Sequence, residues 1–247
     1  MLTRFEVLYL ALEPFFLPVH RLVRKEIRSR LKEFGQRPAL LDVGGRKSHY
    51  TVGCRADVTV TDLRRESDVQ RKLHLGLDDD IVRETSSRRS NVHRVLFDDM
   101  THSNLPDRSF DFVVAVEVLE HVAEDDRFVQ NVARVLKPGG LFLMTTPNGD
   151  FVPNTTNPDH KRHYSKRGLE TLLSSHLDGV EVWYAVKAGG FHDRGLQSWS
   201  LRRPFATLSS MVGNFVNYLE SSSKGISGKA IGTHHLFAVG RARSGRE

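Results

Sequence analysis

VLFDDMTHSNLPDRSFDFVVAVEVLEHVAEDDRFVQNVARVLKPGGLFLMTTPN, residues 95–148, is the stretch whose reading decides the fold. Inside it, FDFVVAV at 110–116 is a short apolar run rich in β-branched and aromatic residues, which predicts a buried strand opened by Asp111. Residues 122–136 carry apolar side chains at helical spacing. Lys137-Pro138-Gly139-Gly140 then reads as a turn that stops the helix and feeds a strand over 141–146.

Outward from this core the same alternation continues. Upstream, 39–43, 58–61 and 92–97 are strand-like; downstream, a helix over 166–177 precedes strands at 180–186 and 235–241. Strands alternating with helices predict an α/β fold with an open, mostly parallel sheet, whose ligands bind outside the carboxyl ends of the strands. Residues 147–164, rich in Pro, Asn, Asp and His, read as a long loop. An insertion between the last two strands, 190–230, holds a helix over 205–221 and a flexible SSSKGISGK stretch, and is expected to be a lid. At the other end, 3–34 has helical spacing broken at Pro14 and Pro18, and 19–34 reads as a basic amphipathic helix closed by Gly35 and Pro38. The expected division is an amino-terminal helical cap over 1–37 and one domain over 38–247.

Composition narrows the class. With 247 residues, 39% hydrophobic and 27% charged, the chain is long enough for a sizeable core and ordinary in make-up, which excludes disorder, collagen and coiled coil as its main structure. A single cysteine, Cys54, excludes a disulfide-stapled module and suits a reducing compartment, so the expected location is cytoplasmic. Glu6, Glu13, Pro14 and Pro18 interrupt the apolar amino terminus, leaving no run near the roughly 20 residues of a spanning helix. Charge is uneven: 1–37 carry 8 basic and 4 acidic residues, 38–150 carry 15 and 19, and 151–247 carry 13 and 7. The basic flanks fit a phosphorylated or carboxylated substrate, nucleic acid, anionic lipid, or simply a solvated surface.

The first strand ends in LLDVGGRKS, with Asp42, Gly44 and Gly45 at the turn. Glycine there permits a positive φ and close approach of a ligand, and a helix starting next would offer free N–H groups. Asp62, closing the second strand 20 residues after Asp42, is placed to accept hydrogen bonds from both hydroxyls of a ribose. A dinucleotide fingerprint would need glycine at 46 and 49, where Arg46 and His49 stand.

LPDRSFDFVVAVEVLEHV followed by RVLKPGGLFLMTTPN resembles the class I S-adenosylmethionine-dependent methyltransferases with a methyltransferase type 11-like domain, and the likeness extends over 39–186. It implies a Rossmann-like seven-stranded sheet, mostly parallel with an antiparallel last strand, helices on both faces, and S-adenosylmethionine as cofactor. Asp42, Gly44 and Gly45 would flank its methionine part, and Asp62 would hold the ribose. Asp98 or Asp99 would meet the adenine amino group, Met100 would pack beside the ring, and Glu117 would face the sulfonium. The family's D-x-G-x-G-x-G is not kept, because Arg46 and Ser48 stand at the second and third glycines. Gly45 can compensate if the turn shifts by one residue, and Arg46 can reach the cofactor carboxylate; the alternative is a non-catalytic scaffold.

Methyl transfer needs in-line positioning and, for a hydroxyl acceptor, removal of a proton, a task suited to histidine. His121, in VLEHV, and His160 and His163, in NPDHKRHYS, are the candidates. Glu117, Glu120 and His121 would share a helix face if the helix began by Glu117, and His160 could join them. This resembles the magnesium-site pattern of small-RNA 2'-O-methyltransferases and ubiquinone-pathway O-methyltransferases, but E-V-L-E-H-V also occurs in metal-free members, so no metal is assigned. The lid residues Trp199, Arg202, Arg203, Phe205, Phe215 and Tyr218 suggest an acceptor with an anionic part and an apolar or sugar part. The expected activity is O-methylation of such a small molecule. Action on RNA would need a compact basic-aromatic motif, which is lacking. A lipid-like acceptor reached by peripheral membrane contact through 1–34 is the remaining alternative.

Overall fold

The computed structural model describes residues 2–65, 76–154, 157, 159–223 and 225–244. β1 (Ala39–Val43), β2 (Asp57–Asp62), β3 (Val92–Phe97), β4 (Phe110–Val116), β5 (Leu136–Pro147), β6 (Leu177–Lys187) and β7 (Thr233–Ala242) form one sheet in the order β3-β2-β1-β4-β5-β7-β6. β7 runs antiparallel to both neighbours, and the other observed pairings are parallel. Strand order reverses between β1 and β4, where doubly wound sheets bind their ligands. The fold is therefore the Rossmann-like α/β sheet expected from the sequence.

Both faces are covered. α4 (Asp125–Val135) and α5 (Lys166–Ser174) bury Phe128, Val129, Val132, Leu169 and Leu173 against one face. α2 (Pro18–Arg30) buries Val19, Val23 and Ile27 against Leu40, Val58 and Phe112 on the other. The apolar side of this basic helix is thus spent on the core and is not a membrane face; among the amino-terminal residues, Val7 and Leu8 of α1 (Arg4–Leu12) stay exposed. α1 is held by a capping box of Thr3 and Glu6, and the buried Glu6 also accepts from Ser90 N and Oγ, both at 3.0 Å.

Several local expectations are corrected. The Lys137-to-Gly140 segment does not separate helix from strand: pairing runs from Phe110 with Leu136 to Phe112 with Leu141, so it is an irregularity inside β5, allowed by Gly139 at φ 73°. The helix expected from 122 begins at Asp125, after a single 3-10 turn at Leu119–His121. Two helices lacked a sequence signal, α3 (Asp79–Arg88), which buries no side chain, and α6 (Gly190–Gly195). The inserted segment forms α6 and α7 (Pro204–Ser221), and leaves and rejoins the sheet at the edge where the parallel strands end. Among the described residues no helix is long and apolar enough to cross a membrane.

Candidate active site

The expected helix after β1 is absent. Gly44, left-handed at φ 67°, leads into one 3-10 turn, Gly45–Lys47, and the chain then folds back beneath the strand. Asp42 organises this turn. It is fully buried, and its two oxygens accept from the Tyr50 hydroxyl at 3.0 Å and the Thr51 hydroxyl at 2.9 Å. Arg89, at the carboxyl end of α3, donates to Ser48 O at 3.2 Å, Ser48 Oγ at 3.1 Å and Thr51 Oγ1 at 2.5 Å. Burial pushes the Asp42 carboxyl up, against the pull of Arg89 and the Ser48, Thr51 and Tyr50 hydrogen bonds. A Cβ on Gly45 would lie 2.5 Å from Asp42 Cγ, and one on Gly44 would lie 2.7 Å from Val118 Cγ2. Both glycines are thus needed for packing alone. Ser48 at a family glycine position is accounted for too, because it is a buried partner of Arg89. Arg24, fully buried in α2, donates to Tyr50 O at 3.1 Å and Val52 O at 2.6 Å and fastens the same segment from above.

At the carboxyl edge of the sheet, Asp62, Asp98 and Glu117 stand in a row set by strand order. Asp62 pairs with Phe97 in register, and Asp98 N donates to Asp62 O at 3.2 Å. Asp98 has one oxygen on Asn104 N at 3.2 Å, while its Oδ2 is buried without a partner. Asp99 is exposed and spends Oδ1 on Thr101 N and Oγ1, capping a 3-10 turn that buries Met100. Of the two aspartates, Asp98 is the one whose unpartnered oxygen is buried. Arg46 lies within electrostatic reach of Asp62; burial and then Arg65 lower its pKa, and Asp62 opposes them.

Glu117 adopts a left-handed φ of 53°, off the turn that carries Glu120 and His121, so the expected shared helix face does not exist. It accepts from Thr145 Oγ1 at 2.8 Å and meets His235 Nε2 at 3.4 Å. Burial alone would raise this carboxyl, but His235 and the Thr145 hydrogen bond outweigh it and lower it. With Nε2 turned to Glu117, His235 Nδ1 is left buried with no partner. His20 of α2 also feels Glu117 and His235, and burial and then His49 lower its pKa to about 4. His235 and His20 had no marked signal in the sequence; the His234-His235 doublet at the start of β7 was the only trace.

The three expected histidines do come together. His163 Nδ1 lies 2.9 Å from Val152 O and its Nε2 lies 2.7 Å from His160 Nδ1; His160 Nε2 in turn lies 3.0 Å from Asn157 Nδ2. One assignment satisfies this chain with neutral rings, each Nδ1 donating and each Nε2 accepting. His121 packs edge-on against His160, with centroids 4.7 Å apart, and its Nδ1 lies 3.2 Å from Asp159 O, which leaves the Nε2 lone pair. Burial, then His121 and His163, lower the His160 pKa. Glu120, fully buried, gives one oxygen to Thr146 Oγ1 at 3.1 Å and leaves Oε1 unpartnered; burial and then Glu117 push its carboxyl well up. Ligand atoms of Glu120, His121 and His160 lie within 4.8 Å of one another.

The lid residues do not line an acceptor pocket. Trp199 stacks on Phe16 at 5.6 Å and donates to Ser210 Oγ, Tyr218 lies under Arg21 at 3.5 Å, Phe215 packs against Phe15 with centroids 6.4 Å apart, and Arg202, Arg203 and Phe205 face outward. The anionic or sugar acceptor loses that support.

The gathering of titratable groups has a consequence for stability. In the unfolded chain His20 takes up a proton near its ordinary pKa of 6.5, and in the folded chain only near 4. Between these values the unfolded state binds more protons, so stability falls as pH drops from about 6.5 to about 4. The expected loss is about 3 kcal/mol for this residue. Urea titrations across that range should show it, with a shallower slope for His20→Gln; an unchanged slope would remove His20 as the cause.

Comparison with known proteins agrees with this layout. Residues 41–144 match the methyltransferase domain family. A probable S-adenosylmethionine-dependent methyltransferase of Mycolicibacterium smegmatis is 36% identical over 155 residues, 59% of this chain and 57% of that protein. A ubiquinone biosynthesis O-methyltransferase of Pectobacterium atrosepticum is 32% identical over 147 residues, 56% and 55% of the two chains. The chain thus matches little more than half the length of either relative. The crystal structure of a SAM-dependent methyltransferase from Archaeoglobus fulgidus superposes with a TM-score of 0.54 over 88% of this chain and 94% of that one at 15% identity, a likeness of fold. Domain match, relatives and strand order agree that residues 41–144 are similar to the methyltransferase domain of S-adenosylmethionine-dependent methyltransferases.

Proposed function

We propose that this chain is a methyltransferase that carries a methyl group from S-adenosylmethionine to an oxygen of a small-molecule acceptor, with a domain over 38–247 closed by the 1–37 segment. The residues fit the cofactor. Asp62 would hold the ribose hydroxyls, the orphaned Asp98 Oδ2 would accept from the adenine amino group, Met100 would pack beside the ring, and Glu117 would face the sulfonium end. The bound cofactor supplies an electrophilic methyl group. The protein then has to align the acceptor oxygen and take its proton.

The observation that carries this reading is His235. Its Nε2 is held by Glu117 at 3.4 Å, and its Nδ1 is buried with a lone pair that nothing satisfies, an arrangement in which a carboxylate orients a histidine base. The O-methyltransferase relative favours oxygen as the acceptor atom. Transfer of a labelled methyl group to fractionated small molecules tests it: His235→Asn should lower turnover by about a hundredfold while leaving S-adenosylhomocysteine affinity within about twofold. Equal loss of both would reduce His235 to a structural role.

A second reading has its own observation. Glu120 Oε1 is buried and unpartnered beside His121 and His160, a mixed carboxylate and imidazole set suited to a divalent cation. Glu120, His121 and His160 would hold it, with His163 positioning His160, and it would acidify an acceptor hydroxyl. Chelator treatment that ends turnover, with recovery on adding back Mg2+, Mn2+ or Zn2+, distinguishes this from the His235 mechanism alone.

A further inference from the structure

α7 is turned inside out. Its buried side consists of Ser210, Gly213, Asn214, Asn217 and Ser221, while Phe205, Leu208, Val212, Phe215 and Leu219 form an exposed stripe at helical spacing. Hydrogen bonds fix this rotation. Ser210 Oγ donates to Gly195 O at 2.9 Å, Asn214 Nδ2 to the same carbonyl at 3.2 Å and Asn217 Nδ2 to Lys187 O at 2.8 Å, while Lys187 N donates to Ser221 Oγ at 2.9 Å. A roll of the helix to hide the stripe would break all four and bury the freed polar groups unpaired. Phe205 keeps 86% of its surface exposed, and the stripe continues into the preceding turn, where Leu201 is fully exposed.

An apolar stripe of this length on a helix that cannot span a bilayer calls for a covering surface. Charge selects which. From Arg194 to Leu219 there is no carboxylate, and Arg194, Arg202 and Arg203 are all exposed. A second copy docked symmetrically on the stripe would set these arginines against their own counterparts, whereas an anionic lipid surface complements them. We propose that α7 and the preceding turn, through Leu201, Phe205, Leu208 and Val212 with Arg202 and Arg203 at the headgroups, form a docking face for an anionic membrane surface. The contact belongs to the inserted segment, not to the basic helix α2, whose apolar side is used up by the core.

Vesicle flotation of the full chain tests this, using phosphatidylcholine vesicles with and without phosphatidylglycerol. Wild type should float with the phosphatidylglycerol vesicles and lose most of that binding in high salt. Leu201→Glu with Phe205→Glu should weaken binding by about tenfold or more, and Arg202→Glu with Arg203→Glu should abolish the preference for anionic lipid. All four side chains are exposed, so both variants should keep the wild-type melting temperature and S-adenosylhomocysteine affinity, which separates lost docking from lost fold. Three results would overturn the proposal: no flotation of wild type, binding lost with Val7→Glu and Leu8→Glu but kept in the lid variants, or a lipid-free dimer in sedimentation that Phe205→Glu dissociates.

Discussion

Asp62→Ala is expected to weaken S-adenosylhomocysteine binding by about a hundredfold. Each hydrogen bond from a ribose hydroxyl to a carboxylate is worth about 1.5–3 kcal/mol, and two are lost together. Asp98→Ala should cost about tenfold, since one charge-assisted bond to the adenine amino group disappears. Asp99→Ala should stay within about twofold, because the residue is exposed and its Oδ1 already accepts from Thr101 N and Oγ1. Isothermal titration of the three variants checks the series, and its order matters more than its size. Equal losses at Asp98 and Asp99 would return the adenine contact to an open question. Wild-type affinity in Asp62→Ala would remove Asp62 as the ribose ligand, whereas no binding by the folded wild-type protein would favour the scaffold reading.

The second large effect concerns stability. Asp42→Ala strips the Tyr50 and Thr51 hydroxyls of their acceptor and leaves buried Arg89 without the carboxylate that balances it. Removing one member of a buried charged network costs about 3–5 kcal/mol, which for a chain of this size lowers the melting temperature by about 10 °C. Differential scanning calorimetry measures it. Cofactor affinity of the protein that remains folded should change little, because both Asp42 oxygens are already engaged by the Tyr50 and Thr51 hydroxyls. A variant with unchanged melting temperature but lost binding would restore Asp42 to the cofactor site.

These two residues also show how far reading the sequence reaches. Asp62 and Asp42 look alike there, each an aspartate at or next to the end of a strand in a family-like position. Asp62 sits at the row of strand ends, as its place after DVTVT indicates. Asp42 carries a different duty because the segment after β1 folds back and meets Arg89, whose bond to Ser48 spans 41 positions. The missing glycines at 46 and 48 belong to the same cause, since Ser48 serves Arg89 and no helix follows the turn.

Strand identities, their alternation with helices and the ligand edge were determined by the sequence alone, because periodicity and turn residues act over a few neighbouring positions. Tertiary structure decided the rest. Glu117 acquires His235 as a partner because β4 and β7 flank β5 in the sheet, an adjacency that no local pattern encodes. α7 reads as an ordinary amphipathic helix, and nothing in its periodicity says which side is inward; hydrogen bonds to Gly195 and Lys187 turn its polar side to the protein and its apolar side out. Local periodicity sets which side chains share a face, and only the partners available across the fold set which face is buried.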